Sequence, residues 1–287
     1  MRKRKWIRLV ILLPVMALGL VMTVYPLAAS WYGEQHRSGV RTEYQAALEA
    51  ADTSSLAAAR AAAEEWNRML YAGEIDPLLP KENGYFDCLD LTGSGIMGYI
   101  RIPKINVELP IYHGTGDAAL RAGAGHMPQT SLPVGGENTH AVISAHTGMA
   151  SSPMFTDLEL LEVGDRFAVE VLGEILTYQV TEIQVVLPVD ASAVQIERGK
   201  DLCTLVTCTP YGVNTHRLLV RGKRVETPAA EERTEAEAVS GETVSVWRVQ
   251  YWRSIGIGLA AAVGLILMAL VWPRLRRGRR KGRYEQE

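Results

Sequence analysis

A cysteine and an arginine lie nine residues apart in the segment TLVTCTPYGVNTHRLLVRG, which covers residues 204–222. A β-type run ends at Cys208, the Pro-Tyr-Gly at 210–212 interrupts it, and a second β-type run begins near Thr215. This hairpin-like connection could bring Arg217 across from Cys208 on the neighbouring strand. A fixed cation near a thiol favours the thiolate and can stabilise an oxyanion that develops on an attacked carbonyl. The pattern therefore predicts a nucleophile and an electrostatic stabiliser in one place.

A histidine, His146, ends another β-type run in SAHTG, where Gly148 turns the chain. Imidazole titrates near neutrality, so it could protonate a leaving amine and later deprotonate an incoming one. Cys208, His146 and Arg217 together supply the groups that acyl transfer needs.

The other two cysteines have structural interpretations. Cys203 lies in the same β-type run as Cys208 but five residues away, which puts it on the opposite face of the strand and predicts a core side chain. Cys88 lies in a loop-like segment, and a structural role is favoured there over a redox role. Three cysteines are too few, and odd in number, for a disulfide framework.

The histidines outside SAHTG show no metal-ligand spacing, so we expect solvated or hydrogen-bonded roles for them. His216 adjoins Arg217, and strand alternation turns the two side chains to opposite faces. The sequence therefore predicts no metal site from the remaining set of His36, His113, His126 and His140.

The motif TLVTC followed by Arg217, with an upstream His in SAHTG, resembles the sortases, and the string TCTPYGVNTHRLLVRG is similar to the class C, pilin-polymerising sortases. The resemblance spans about residues 40–225 and continues in the C-terminal anchor. It implies an eight-stranded β-barrel that cleaves an LPXTG-type sorting signal between Thr and Gly and holds a thioacyl intermediate on Cys208. A lysine amine of a pilin subunit then releases the intermediate, without a metal or organic cofactor. The resemblance also implies that His146 is the general acid/base and that Arg217 positions the substrate or stabilises the oxyanion.

The segment around residue 76 also resembles a class C feature, a lid whose Asp-Pro-aromatic motif lies over the active site. Asp76 and Pro77 match this motif, but Leu78 stands where an aromatic residue is usual. We expect Asp76 to pair with Arg217 in a closed state and Leu78 to shield Cys208, so that a substrate must displace the lid.

Short β-type runs separated by turn signals recur through residues 98–225, without long helices between them. This pattern favours a mainly β barrel or sandwich, which the resemblance narrows to a sortase-type barrel and catalytic domain. Residues 30–72 are rich in Ala, Glu and Leu and predict a helical leader, with a break or N-cap at Asp52. Residues 73–97 are rich in Pro, Gly, Asp and Asn and predict a lid or flap loop. Residues 226–253 are acidic and predict a flexible stalk.

Two uncharged apolar stretches, residues 9–29 and 254–272, predict transmembrane helices. Basic segments, residues 1–8 and 273–287, border them, so the positive-inside rule keeps both termini in the cytoplasm. A cleaved signal peptide is the alternative for the first stretch. In either case we expect the catalytic domain to lie outside the cell membrane, and the resemblance to sortases implies a Gram-positive cell.

The segment between the two basic ends is acidic. Of 30 Lys and Arg, 12 lie in the two ends, and of 32 Asp and Glu, 2 do, which leaves 18 basic and 30 acidic residues between them. This balance argues against nucleic acid as a partner. The expected partners are LPXTG-bearing pilin subunits, an amine nucleophile and the membrane.

Three other functions stay open at this point. A cell-wall-anchoring sortase would use a peptidoglycan precursor amine in place of a pilin lysine. A thiol peptidase would let water resolve the acyl-enzyme, although the papain order of Cys before His does not hold here. A non-catalytic membrane scaffold would bind sorting signals without turnover.

Overall fold

The computed structural model describes residues 39–147, 153–190 and 192–227, with single positions and short stretches between 14 and 25 and between 253 and 264. The chain divides into two compact units, one of Met1–Ala29 with Val246–Glu287 and one of Ser30–Ser245. The second unit contains the candidate site.

Most residues of the two predicted membrane spans, 9–29 and 254–272, lie outside the described residues, as do the basic ends and most of the predicted stalk. The positions that are described within the two spans are helical. Within the described part of the chain, no helix is long and apolar enough to cross a membrane.

The helical leader consists of two helical stretches. Residues 39–50 are helical, and helix α1 follows at Thr53–Ala72. The carboxylate of Asp52 accepts a hydrogen bond from the Ser55 N–H at 2.6 Å and caps α1, as the sequence predicts. Gly73 ends the helix in the left-handed region, at φ 71°, which a glycine adopts without a steric penalty.

Side chains from both helical stretches of the leader anchor it to the barrel domain. Asn67 on α1 acts as a backbone mimic, since its amide donates to the Leu132 carbonyl at 3.0 Å and accepts from the Leu132 N–H at 2.7 Å. In the first helical stretch, the buried Tyr44 hydroxyl accepts a hydrogen bond from the Leu172 N–H at 3.2 Å. Arg41 lies beside it and pairs with Glu170 at 3.0 Å.

Eight strands form a closed barrel, which confirms the predicted mainly β, eight-stranded fold. The order around the barrel is β1-β2-β3-β4-β7-β8-β6-β5, and a short helix α2 at Asp117–Ala122 connects β2 to β3. All neighbouring pairs are antiparallel except β2 with β3 and β4 with β7. The strands are β1 (Ile96–Ile102), β2 (Val107–His113), β3 (Ala124–His126), β4 (Thr139–Ser144), β5 (Arg166–Val171), β6 (Glu174–Val186), β7 (Asp201–Thr209) and β8 (His216–Arg224).

Strand alternation separates the barrel interior from its outer face. On β7 the buried Cys203 and Leu205 belong to the main core, and on β8 Leu218 and Val220 do. Cys203 is therefore a core side chain, as predicted, and burial raises the pKa of its thiol well above the ordinary value. The intervening residues of both strands point outward, and they include the candidate site.

A buried histidine links β3 to the segment before β1. Nε2 of His126 lies 2.8 Å from the Ser131 carbonyl, which can only accept, so this nitrogen carries the proton. Nδ1 then accepts from the Tyr85 hydroxyl at 2.9 Å. Both contacts need the neutral ring, and burial lowers the pKa of His126 to about 4.

We predict that acid destabilises the fold through His126. Its pKa is lower in the folded chain than the ordinary 6.5, so the stability that it contributes is present above pH 6.5 and lost as the pH falls towards about 4. Between pH 7 and pH 4.5 the free energy of unfolding should fall by about 2 to 3 kcal/mol through this group. His126→Gln keeps a donor for the Ser131 carbonyl, and its free energy of unfolding should fall less over that interval in denaturant titrations. An equal fall in the parent and in His126→Gln would contradict the role of His126 in acid sensitivity.

Candidate active site

Strand register brings the three predicted catalytic residues into one row. Cys208 on β7 and Arg217 on β8 are directly paired across the antiparallel ladder. On the other side of β7, the parallel strand β4 places Ser144 opposite Val206. The residues that follow β4 continue alongside β7. The hydrogen bond from the Ala145 N–H to the Val206 carbonyl, at 3.1 Å, shows this alignment. His146 therefore comes level with Cys208, which lies between the histidine and the arginine.

Hydrogen bonds on both sides of His146 hold its backbone. The hydroxyl of Thr207, the residue before Cys208, donates to the Ala145 carbonyl at 2.9 Å. The carbonyl of His146 itself accepts from the Phe155 N–H at 3.0 Å. Thr207 and Phe155 are both buried, so these contacts are shielded from water. Thr207 was not predicted as a site residue, since its only signal in the sequence is its position beside the cysteine.

Arg217 is held by the backbone of its own turn. Its Nη1 donates to the carbonyls of Asn214, at 3.3 Å, and His216, at 3.1 Å. Among the described residues, no carboxylate forms an ion pair with this guanidinium. The side chain is half-buried and its charge is not neutralised by a described carboxylate, so it remains available to an oxyanion.

The predicted lid residues form no ion pair with the row in this structure. The Asp76 carboxylate accepts from the Leu78 N–H at 2.8 Å, an Asx turn within its own segment, and it does not pair with Arg217. Leu78 is 71% exposed, so most of its side chain faces solvent. The expected Asp76–Arg217 contact is therefore absent from this conformation, because the carboxylate is occupied locally and leucine offers less apolar surface than an aromatic ring would.

The second half of the predicted flap is fixed to the barrel. Tyr85 and Leu89 are buried in the main core. His113, at the end of β2, lies 2.7 Å from the Cys88 carbonyl through Nε2 and 3.0 Å from the Gly95 carbonyl through Nδ1. Burial raises the pKa of the Cys88 thiol. Residues 85–95 are thus anchored to the barrel. The first part of the predicted flap, residues 73–84, is mainly exposed.

Exposed apolar side chains flank the row. Val186, the last residue of β6, is paired with Arg217, and the following Leu187 and Val189 are 56% and 89% exposed. Val213, in the connection between Cys208 and Arg217, is also exposed. Apolar surface is therefore exposed where β6 and the β7–β8 turn border the row. Within the described residues, no group of three His, Cys, Asp or Glu side chains could hold a metal ion.

Comparison with known proteins agrees with this geometry. The sortase domain family matches residues 100–225. The crystal structure of sortase C1 from Streptococcus agalactiae has a TM-score of 0.62 and 43% identity, and the match covers 65% of this chain and 98% of that one. This chain belongs to the sortase family.

Two further sortase structures are similar. Clostridium perfringens sortase C, solved with the C-terminal cell wall sorting motif, has a TM-score of 0.59 and 39% identity, over 66% of this chain and all (100%) of that one. Streptococcus pneumoniae sortase C, whose structure is described as informative on catalysis and pilin substrate specificity, has a TM-score of 0.58 and 38% identity, over 66% and 97%. These neighbours support a class C sortase.

Curated relatives of this sortase are more distant. They are sortases A and D with 29% to 34% identity, and the chain covers 54% to 64% of their length.

Thiol labelling of the folded sortase tests the site geometry. We predict that an alkylating reagent modifies Cys208 first and Cys88 much more slowly, because burial raises the pKa of the Cys88 thiol. Cys203 should react only after unfolding, because it is fully buried. Asp76→Ala should leave the rate at Cys208 within about twofold of the parent, because Leu78 is exposed already. Peptide mapping after timed quenching gives the rates. Labelling of Cys208 that is several-fold faster in Asp76→Ala would show that a closed lid prevails in solution.

Proposed function

We propose that this sortase is a cysteine transpeptidase that cleaves an LPXTG-type sorting signal between Thr and Gly and transfers the acyl group to a lysine amine of a pilin subunit. The observation that carries the proposal is the row of His146, Cys208 and Arg217 at the ends of adjacent strands. Each side chain lies at a position where one part of acyl transfer is required.

The row accounts for both half-reactions. The Cys208 thiolate attacks the threonine carbonyl carbon, and the oxyanion that forms is stabilised by the guanidinium of Arg217. The C–N bond to glycine breaks as His146 gives a proton to the leaving amine, which leaves a thioester on Cys208. An incoming amine attacks this thioester, His146 takes its proton, and the C–S bond breaks to regenerate the thiolate.

The surface beside the row supports a peptide substrate with apolar residues. Leu187, Val189 and Val213 are exposed next to Arg217 and Cys208, and a Leu-Pro pair in a sorting signal would cover part of this surface. The similarity to sortases C supports the pilin lysine as the second substrate. The lid remains part of the proposal as a second conformation, in which Asp76 leaves its Asx turn to pair with Arg217.

We further propose that the barrel works outside the cell membrane, anchored by residues 9–29 and 254–272. The apolar composition and basic flanks of these segments support this location. We expect detergent to extract the chain from cell membranes and alkaline carbonate to leave it there.

Arg217 offers a direct kinetic test because His216 is a matched control. We predict that Arg217→Ala lowers kcat/KM for an LPXTG peptide by about 100-fold or more, since one oxyanion-stabilising group is lost. His216 faces the other way and bonds locally to the Thr215 hydroxyl, so His216→Ala should stay within about threefold of the parent. Equal losses in the two variants would indicate a general disturbance of β8 and contradict the role of Arg217.

The identity of the amine separates pilus assembly from the other functions. Incubation with a pilin that carries both a sorting signal and its acceptor lysine should give a protein–protein isopeptide, detected by mass spectrometry of tryptic branched peptides. A wall-peptide adduct in competition with the pilin would instead favour a cell-wall-anchoring sortase. Hydrolysis with no transfer to either amine would favour a peptidase, and binding without turnover would favour a scaffold.

A further inference from the structure

The outer face of the barrel beneath the catalytic row has a small core of its own. Val206 on β7 and Leu219 on β8 lie one step below Cys208 and Arg217 on the same face. Together with Val142 on β4 they form a hydrophobic cluster that is separate from the barrel core. Its cover is Ala193, in the short 3₁₀ turn Ser192–Val194 of the β6–β7 connection, which we define as residues 187–200. The connection is therefore packed against the sheet that carries the site.

One arginine fastens this connection to two strands. Arg221 on β8 lies on the same face as Arg217, and its guanidinium donates to the Ala193 carbonyl. Its Nη1 also lies 2.9 Å from a Glu182 carboxylate oxygen on β6 and 3.1 Å from a Glu197 oxygen in the connection. The arginine side chain is only 19% exposed, so these contacts are partly shielded from solvent.

A buried histidine links the connection to strands β4 and β7. Nδ1 of His140 on β4 lies 2.7 Å from the Gln195 carbonyl, and Nε2 lies 2.7 Å from the Thr204 hydroxyl on β7. The carbonyl can only accept, so Nδ1 carries the proton and Nε2 accepts from the hydroxyl. Burial lowers the pKa of His140, and the nearby Arg221 lowers it further, which keeps the ring in the neutral form that this arrangement needs.

We propose that His140 and Arg221 are positioning residues that hold the β6–β7 connection beside the catalytic row and thereby set the binding of the sorting signal. The connection follows Val186, which is paired with Arg217, and its exposed Leu187 and Val189 form one side of the apolar surface at the site. Neither positioning residue lies in the catalytic row. The inference rests on the proposed function for its substrate, whereas the anchoring rests on the contacts alone.

The matched variants are chosen from the contacts. His140→Leu removes both polar contacts, whereas His140→Asn keeps an N–H donor near the position of Nδ1 for the Gln195 carbonyl. Arg221→Met keeps the apolar stem and removes the guanidinium. Lys223→Met is the control, because Lys223 is an exposed cation on the same face of β8, two residues further on.

Two measurements on the full chain in detergent test the proposal. Amide hydrogen exchange over residues 187–200 should become at least about tenfold faster in His140→Leu and Arg221→Met and remain unchanged in the Lys223→Met control. With an LPXTG peptide, KM should rise by about tenfold in the same two variants, while kcat and the rate of Cys208 alkylation stay within about threefold. His140→Asn should lie close to the parent in both measurements.

The outcomes separate the inference from the proposed function. A fall in kcat with an unchanged KM would show a merely structural role for the two residues and overturn the inference, as would unchanged exchange over the connection. If the parent chain neither binds nor cleaves the peptide, the proposed function fails and so does the substrate part of the inference. In that case the exchange data still decide whether His140 and Arg221 anchor the connection.

Discussion

The ladder of β7 with β4 on one side and β8 on the other is the constraint on which the site depends. The antiparallel register of β7 with β8 places Cys208 opposite Arg217. The parallel register of β4 with β7 places His146, just after the end of β4, level with Cys208. A slip of one residue on β7 would turn Cys208 into the barrel interior. Leu205 and Val220, buried in the core and directly paired, fix the register from the inside. The core therefore determines the catalytic geometry as well as the stability of the fold.

The two faces of this sheet have different tasks. The inner face is apolar and rigid, and it leaves the strand ends no freedom to change register. The outer face carries the row at one end and, below it, a small cluster covered by the β6–β7 connection. A connection held by a few hydrogen bonds is easier to move than a strand in a closed barrel. The structure thus combines fixed reacting groups with a proposed substrate surface whose position depends on local contacts.

Sequence patterns predicted those parts of the molecule that local chemistry determines. The alternation in LCTLVTC separated the buried Cys203 from Cys208, and Asp52 marked the start of α1. The family motif supplied the eight-stranded barrel, which alternation alone left open as a barrel or a sandwich. Local patterns are informative here because strand alternation and helix capping each involve residues close in sequence.

Contacts between segments that are distant in sequence could not be predicted from local patterns. His126 and His140 carried no metal-ligand spacing, and their buried partners, Tyr85 and Thr204, are remote in sequence. The lid hypothesis pairs Asp76 with Arg217 in a closed state, although the carboxylate can also bond to its own turn. Whether a local or a distant partner wins depends on the packed structure, which a motif does not specify.

Intact-mass spectrometry of the sortase with an LPXTG peptide, quenched in acid within seconds, tests the central claim most directly. The account predicts a mass increase equal to the peptide up to its threonine, located on Cys208 by fragmentation, labile to hydroxylamine, and absent from Cys208→Ala. An adduct on Cys88, or peptide cleavage that persists in Cys208→Ala, would contradict it.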